Sequence, residues 1–373
     1  MHSFWEYREW FEDADFTVIG SGIVGLQCAI ELRKKHPNSR IIVLERGYLP
    51  SGASSKNAGF ACFGSPSEIL DDLKTNSTEE VAELVELRVK GLEILKKTCG
   101  EASMDFQRLG SHEVFTTTED LLFEQCAGQL DELNHLLHPI FHENVFEIAD
   151  HKIRDFGFSN VNHLISNQFE GQIDTGKMIQ RLISIVRSSN IEIINGAEVT
   201  GLKDDNHGVA VELNGNYQFK TSKVLIANNG FAATLLPELD VKPARAQVLI
   251  TSPVKNLKVK GTFHLLEGYY YFRNVGNRVL FGGGRNLDYE GETTTSLETS
   301  ELIQSDLEHK LRQIILPKDD FTISHQWAGI MGVGKTKKPI VKSVSSNVLC
   351  GVRLGGMGVA IGSIIGKEMA ALT

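Results

Sequence analysis

The sequence predicts a mixed α/β protein with more than one domain. Strand, glycine turn, helix and strand follow one another at the start of the chain, within about 30 residues. A second long stretch, 244–284, alternates in the manner of antiparallel strands. The length of 373 residues exceeds twice the usual ~150-residue domain. Apolar residues make up 41% and charged residues 23%, so the chain is neither disordered nor fibrous.

The first strand is Phe16–Ile19, followed at once by Gly20-Ser-Gly22-Ile-Val-Gly25. A helix from Val24 to Lys35 carries Leu26, Ala29, Ile30 and Leu32 and stops at His36-Pro37. The strand Ile41–Leu44 ends in Glu45. A glycine- and serine-rich stretch follows at 51–66. Helices are then predicted at 78–98, with Ser77 and Glu80 as a capping box, and at 119–137 before Pro139. Another covers 174–188 and leads into strands at 191–194, 198–202 and 209–213. Asn214-Gly215 is a hairpin turn, and 224–227 a buried strand running into Asn228-Asn-Gly230. The β-rich part holds strands at 247–251, 268–273 and 278–281, with Gly276-Asn277 as a turn. A helix is expected at 296–315, a strand at 347–352, and a glycine run opening a last helix that reaches Leu372.

The Gly-x-Gly-x-x-Gly run has a chemistry. The first glycine permits the turn, the second lets backbone approach a pyrophosphate, and the third packs helix on strand. The helix N-terminus offers free N–H groups to phosphate, with Ser21 and Ile23 inside the turn. Glu45, twenty residues past Gly25, suits a ribose diol and disfavours a 2′-phosphate. An adenine dinucleotide is expected. The loop Gly52-Ala-Ser54-Ser55-Lys-Asn57-Ala58-Gly59, soon after Glu45-Arg46, extends the contact to a longer cofactor, which argues for FAD over NAD. The run Arg353-Leu-Gly355-Gly356-Met357-Gly358-Val359 is a second helix start able to stabilise negative charge on a reduced flavin.

Other classes are disfavoured. A net charge of −9 makes duplex nucleic acid a poor partner. No apolar run approaches the ~18 residues of a membrane span, and the charged start at Trp5–Asp13 does not read as a signal peptide. Five widely spaced cysteines without a Cys-x-x-Cys pair predict reduced thiols and a cytoplasmic protein. Histidines 112, 264 and 325 are scattered, read as structural residues, and no spacing suggests a metal site.

Taken together, these motifs resemble the D-amino acid oxidase-type (DAO) superfamily of FAD-dependent oxidoreductases over nearly the whole chain. Within it the chain resembles the glycine/sarcosine oxidase and γ-glutamylputrescine oxidase-like branches, the latter through Tyr-Phe-Arg with Asn-Arg-Val-Leu-Phe-Gly-Gly-Gly, 271–284. The resemblance implies a Rossmann-like FAD-binding domain of 1–85, 150–240 and 325–373. A substrate domain of 86–149 and 241–324, built on a mixed, largely antiparallel sheet, would be interleaved with it. It implies that Val199, Asn228, Gly230 and Gly329 join the cofactor set. It also implies oxidation of a C–N bond of an amine or amino acid derivative by hydride transfer to flavin, with oxygen, a quinone or an electron-transfer partner as acceptor.

Tyr271 is the implied substrate tyrosine, with Tyr269 on the same strand face. Arg353 is the implied substrate arginine, with Arg273 and Arg285 behind it. Two departures bear on this. Met331 stands after Trp327-Ala-Gly-Ile330, where relatives place a carboxylate-binding arginine, so a simple α-amino acid substrate is in question. No cysteine lies between Gly329 and Ile340, and the early loop has no histidine, so FAD is expected to be non-covalent. Alternatives are a hydroxy-acid or polyol dehydrogenase and a non-catalytic flavin-binding protein; a tRNA-side-chain oxidase is disfavoured by the acidic charge.

Overall fold

The computed structural model describes residues 3–205 and 207–373. Its first sheet has eight strands around Ala14–Ile19. That strand runs parallel to Ile41–Glu45 on one side and to Tyr217–Ile226 on the other, with Val18 opposite Val43 and Leu225. Parallel neighbours need a crossover, and the helix Ile23–Lys35 supplies it. The sheet order continues outward through Val348–Val352 and Ile340–Ser343 at one edge and Glu192–Asn195 at the other. Val199–Asp204 and Val209–Leu213 form a hairpin added to Tyr217–Ile226.

Four helices share one apolar core with this sheet: Ile23–Lys35, Thr78–Cys99, Thr175–Ser188 and Gly358–Ala371. They come very close. A Cβ on Gly91 would lie 2.1 Å from the Ala360 carbonyl oxygen, and one on Gly366 would lie 2.5 Å from that of Val24. Part of the glycine surplus therefore serves helix packing.

The second sheet runs Ile323–Val333, Lys242–Thr251, Arg278–Gly283, Tyr270–Val275, Thr262–Leu265, Ser111–Thr116, Val161–Asn167, Phe146–Ile148. All pairs are antiparallel except Thr262–Leu265 with Ser111–Thr116. Side chains alternate across it. Tyr270, Phe272 and Phe281 face the helix Glu301–Lys310 in one core. Tyr271 turns to the other face, where Phe60, Val248 and Trp327 pack. Its neighbours across the strands are His264 and Gly282.

Several expected elements change. The predicted helix 119–137 divides into Asp120–Gly128 and Leu130–Phe141. Pro139 lies inside the second, whose last turn it shares with the left-handed cap His142. The helix expected from 296 begins at Glu301, because the Ser300 N–H donates to the Gln247 side chain (2.9 Å) and holds Ser300 extended. After Lys310 it widens into a π turn, Leu311–Ile315. A helix, Phe4–Trp10, capped by Ser3, opens the described chain. The strands Val161–Asn167 and Ile323–Val333 belong to the second sheet, although most of their residues were expected in the cofactor domain. The limit at 85 also cuts the helix Thr78–Cys99, whose Leu92, Leu95 and Cys99 continue the first core. Sheet membership changes hands more often than composition reveals. No helix among the described residues is long and apolar enough to cross a membrane.

Candidate functional site

One cavity of about 580 Å³ runs from the ends of the parallel strands to the inner face of the second sheet. Its first end is made chiefly of backbone. Gly20, Ser21, Gly22 and Ile23 line it, at the N-terminus of a helix whose cap, Gly22, has no side chain to close it. A Cβ at Gly25 would fall 1.9 Å from the Gly20 carbonyl oxygen, so this glycine packs the turn and does not line the cavity. Glu45 is buried at the end of its strand. One carboxylate oxygen accepts from the Ser21 hydroxyl (2.7 Å), the other from the Ser51 hydroxyl and the Gly47 N–H (both 2.9 Å). Arg46 stacks on Phe231, 3.6 Å from its ring centre, and Val199 and Asn228 line the adjoining wall.

The loop 52–59 folds under the cavity. The Ser54 hydroxyl accepts the Ile23 N–H (2.9 Å), tying this loop to the glycine turn. Ser54, Asn57 and Ala58 line the cavity. Ser55 does not: its hydroxyl is turned to the carbonyls of Pro50 and Gly52. Gly59, φ +76°, lies beneath the floor; a Cβ there would sit 2.6 Å from an Arg273 nitrogen. Gly329, Gly355, Gly356, Met357, Gly358 and Val359 complete the lining, where the last helix opens without a side-chain cap. Gly230 lies behind the wall, 2.5 Å by its absent Cβ from the Met331 carbonyl oxygen.

These features fit the expected dinucleotide. Two uncapped helix N-termini face one cavity, the glycines leave room for backbone approach, and the buried Asn228 side-chain oxygen, Oδ1, has no partner among the described residues. The pieces available to hold FAD are the Gly20–Ile23 turn, Glu45, the Ser54–Ala58 loop and the Gly355–Val359 turn.

The other end is made of side chains. Tyr271 lies across its own sheet. A Cβ at Gly282 would fall 2.6 Å from the tyrosine ring, so glycine there lets the ring lie flat. Phe60 meets Tyr271 and His264 edge-on, 5.5 and 5.4 Å between ring centres. Burial pushes the Tyr271 hydroxyl up to about 12, so it is a neutral donor near neutral pH. Beyond it stand Cys62, Glu68, Asp72, Arg88, His264 and Lys337. Glu68 caps its own helix by accepting the Ser65 N–H (3.0 Å), and lies 3.9 Å from His264 Nδ1. Burial alone would raise its carboxyl. His264, the Ser65 N–H, Arg88 and Lys337 together hold it below the ordinary value. Lys337 reaches Asp72 at 2.5 Å. Arg88, 4% exposed, donates to the Phe63 carbonyl (2.6 Å) and sits among Glu68, Asp72 and Glu170. Cys62 Sγ, a ring nitrogen of His264 and a carboxylate oxygen of Glu170 lie within 4.8 Å of one another.

The expected substrate residues divide. Tyr271 and Tyr269 both line the cavity, as does Arg285. Arg353 does not fit the expected substrate role. Its guanidinium turns outward to Asp240 (2.9 Å), the Lys338 carbonyl (2.8 Å) and the Thr336 hydroxyl (3.0 Å). Its backbone, φ +65°, forms the entry to the glycine turn. Arg273 is also taken up by protein. It donates to the carbonyls of Ala58, Ile173 and Asn274 beneath the loop, buried enough to lower it to about 10. Both arginines brace the cofactor loops.

His264, expected to be only structural, lines the cavity beside Tyr271. Glu68, Asp72, Arg88, Cys62 and Lys337 were not anticipated at all. Two carried a signal. Arg88 stands in the apolar stripe of Val81, Val85, Leu92 and Leu95, where a lone charge needs a reason. Ser65-Pro-Ser-Glu68 is a capping box.

Residues 15–372 match the family model described as FAD dependent oxidoreductase, DAO. The chain is similar to the "Probable oxidoreductase OrdL" of Haemophilus influenzae, 20% identical, covering 96% of this chain and 82% of that protein. Mitochondrial dimethylglycine dehydrogenase of Rattus norvegicus is 23% identical over 80% of this chain, which spans only 35% of that longer protein. Among solved structures, L-proline dehydrogenase from P. horikoshii superposes with a TM-score of 0.77 at 19% identity, covering 97% of this chain and 93% of that one. That likeness bears on the fold. With its glycine cradle and nearly end-to-end match, the chain belongs to the DAO family of FAD-dependent oxidoreductases.

Proposed function

We propose that this enzyme oxidises the C–N bond of an amine or amino acid derivative. FAD, when bound, supplies a hydride-accepting ring in a site shielded from water. The reading is supported chiefly by one observation: the wall opposite the cofactor loops is an aromatic pocket of Tyr271, Phe60 and His264 with charged groups at its far end. Names among its relatives, L-proline dehydrogenase and dimethylglycine dehydrogenase, point to the same bond type.

In this reading Tyr271 donates a hydrogen bond to the substrate and aligns it. Phe60 fixes the tyrosine ring by edge contact. Arg273 and Arg353 hold the loop 57–59 and the turn 353–356 beside the cofactor. The pocket keeps the reacting carbon away from bulk solvent, and alignment is the main contribution asked of the protein. FAD is held without a covalent link, and the electron acceptor is oxygen, a quinone or an electron-transfer partner.

The test is anaerobic reduction. FAD-loaded protein is mixed with primary amines, N-methyl amines, amino acids and hydroxy acids, and the flavin band is followed. Bleaching by amines or amino acids is expected. Bleaching by hydroxy acids alone would overturn the reading.

A further inference from the structure

Resting on the amine reading above, the geometry points to a narrower substrate class: we propose that Glu68 receives a substrate ammonium, so that the site takes cationic amines without a carboxylate on the reacting carbon.

A carboxylate needs an available cation, best a guanidinium held for bidentate contact. Most cations of the cavity lining are already engaged. Position 331 is methionine and lines the cavity. Arg353 and Arg273 are spent on protein carbonyls and Asp240. Arg88 has its Nη1 on the Phe63 carbonyl and three carboxylates around it that offset its charge, while its Nε is buried without a partner among the described residues. Lys337 is paired with Asp72 at 2.5 Å. Arg46 and Lys56 belong to the cofactor end. Arg285 stands 5.0 Å from the Tyr289 ring with its Nε unpartnered among the described residues, so it is the rival receptor that the acetate arm below tests.

The opposite charge is on offer. Glu68 is a carboxylate of this wall with an oxygen to spare, whereas Asp72 is ion-paired to Lys337. Its Oε2 accepts the Ser65 N–H, while Oε1 has no protein donor among the described residues. Room is made for it by Gly268, φ +79°, where a Cβ would lie 2.8 Å from Glu68 Cδ and 2.9 Å from Oε1. Any larger residue would push this carboxylate aside. Tyr271, Phe60 and Tyr269 add aromatic surface to the same cavity lining. A carboxylate beside aromatic faces is a good receptor for an alkylammonium and a poor one for an anion. The Glu68 and Asp72 charges balance Arg88 and Lys337, and buried Glu170 adds a further carboxylate against Arg88.

The experiment separates this claim from turnover by using ions that do not react. FAD-loaded protein is titrated with tetramethylammonium chloride and with sodium acetate at fixed ionic strength, and the flavin spectrum is followed. Tetramethylammonium should perturb the flavin and acetate should not. Glu68→Gln keeps the helix cap and should weaken the cation at least tenfold, with FAD affinity unchanged. Glu68→Asp, which keeps the charge, should retain more of the affinity. Acetate binding as tightly as the cation, most tellingly if Arg285→Gln then abolishes it, would overturn the inference. So would a Glu68→Gln protein that binds tetramethylammonium like the unmodified one. A protein that binds the cation but is bleached by no amine would leave this inference standing and sink the amine reading instead.

Discussion

The two ends of the cavity are built on different principles. The cofactor end is lined by short stretches, 20–24, 44–46, 51–54, 56–58 and 354–360, that offer mostly backbone to the cavity. The substrate end is assembled from single side chains on the strand Thr262–Leu265, the strand Tyr270–Val275, two helices and the segment around Lys337. At the first end a substitution fails by steric overlap. At the second it fails by leaving a buried charge or hydroxyl without its partner. The size and kind of effect should differ accordingly.

The largest effect is expected at the turn. Gly25→Ala places a methyl 1.9 Å from the Gly20 carbonyl, and neither backbone can yield without breaking the β-α-β unit. FAD affinity should fall on the order of 100-fold or be lost altogether, read by absorbance titration. Next comes Arg88→Met. It leaves Glu68, Asp72 and Glu170 without their shared cation, and removing one partner of a buried charge cluster costs about 3–5 kcal/mol. Urea unfolding of the FAD-loaded protein measures it.

Glu113 gives a pH signature. It is buried behind Ser67, whose N–H (3.0 Å) and hydroxyl donate to it, yet burial wins and lifts it to about 7. A carboxyl raised from 4.5 favours the folded state while protonated. Its contribution is full below about pH 4.5 and is lost as pH rises to about 7, leaving the protein roughly 3 kcal/mol less stable above that window from this group alone. Glu113→Gln should flatten that slope when unfolding is compared at pH 5 and pH 8.

Tyr271→Phe removes one hydroxyl while keeping the ring against Phe60. We expect kcat/KM to fall roughly tenfold, with FAD affinity unchanged. Arg353→Met is the smallest. Its partly exposed pair with Asp240 contributes about 1 kcal/mol, so stability should drop slightly while KM stays the same. A large rise in KM would return Arg353 to the substrate site.

The same contrast explains what was legible. The cofactor end could be read because its signal is local: glycine spacing, a strand before, a helix after, an acid at the next strand end. Even there, the motif spacing told Gly22, which lines the cavity, from Gly25, which packs the turn, but nothing local marked Gly59 as lying beneath the floor. Tyr271 was singled out by its position in the family resemblance, with Tyr269 added by alternation along the strand, and both line the cavity. Arg353 and Arg273 were misread because a side chain's direction depends on partners far away, Asp240 and the Ala58 carbonyl. Glu68, Arg88 and His264 meet only after both sheets are formed, so no spacing links them. The strand Ile323–Val333 was missed as a strand because its exposed start, from Ser324 to Gln326, carries no apolar alternation.

The account's central claim is that an amine lying between Tyr271 and the cofactor loops gives up two electrons. It is tested most directly by mixing FAD-loaded protein with an amine that bleaches it, without oxygen, and quenching after one turnover. The prediction is one carbonyl product released per FAD reduced, with the nitrogen recovered as ammonia or the smaller amine. Reduction with no carbonyl product, or the amine recovered intact while a hydroxy acid is consumed, would contradict it.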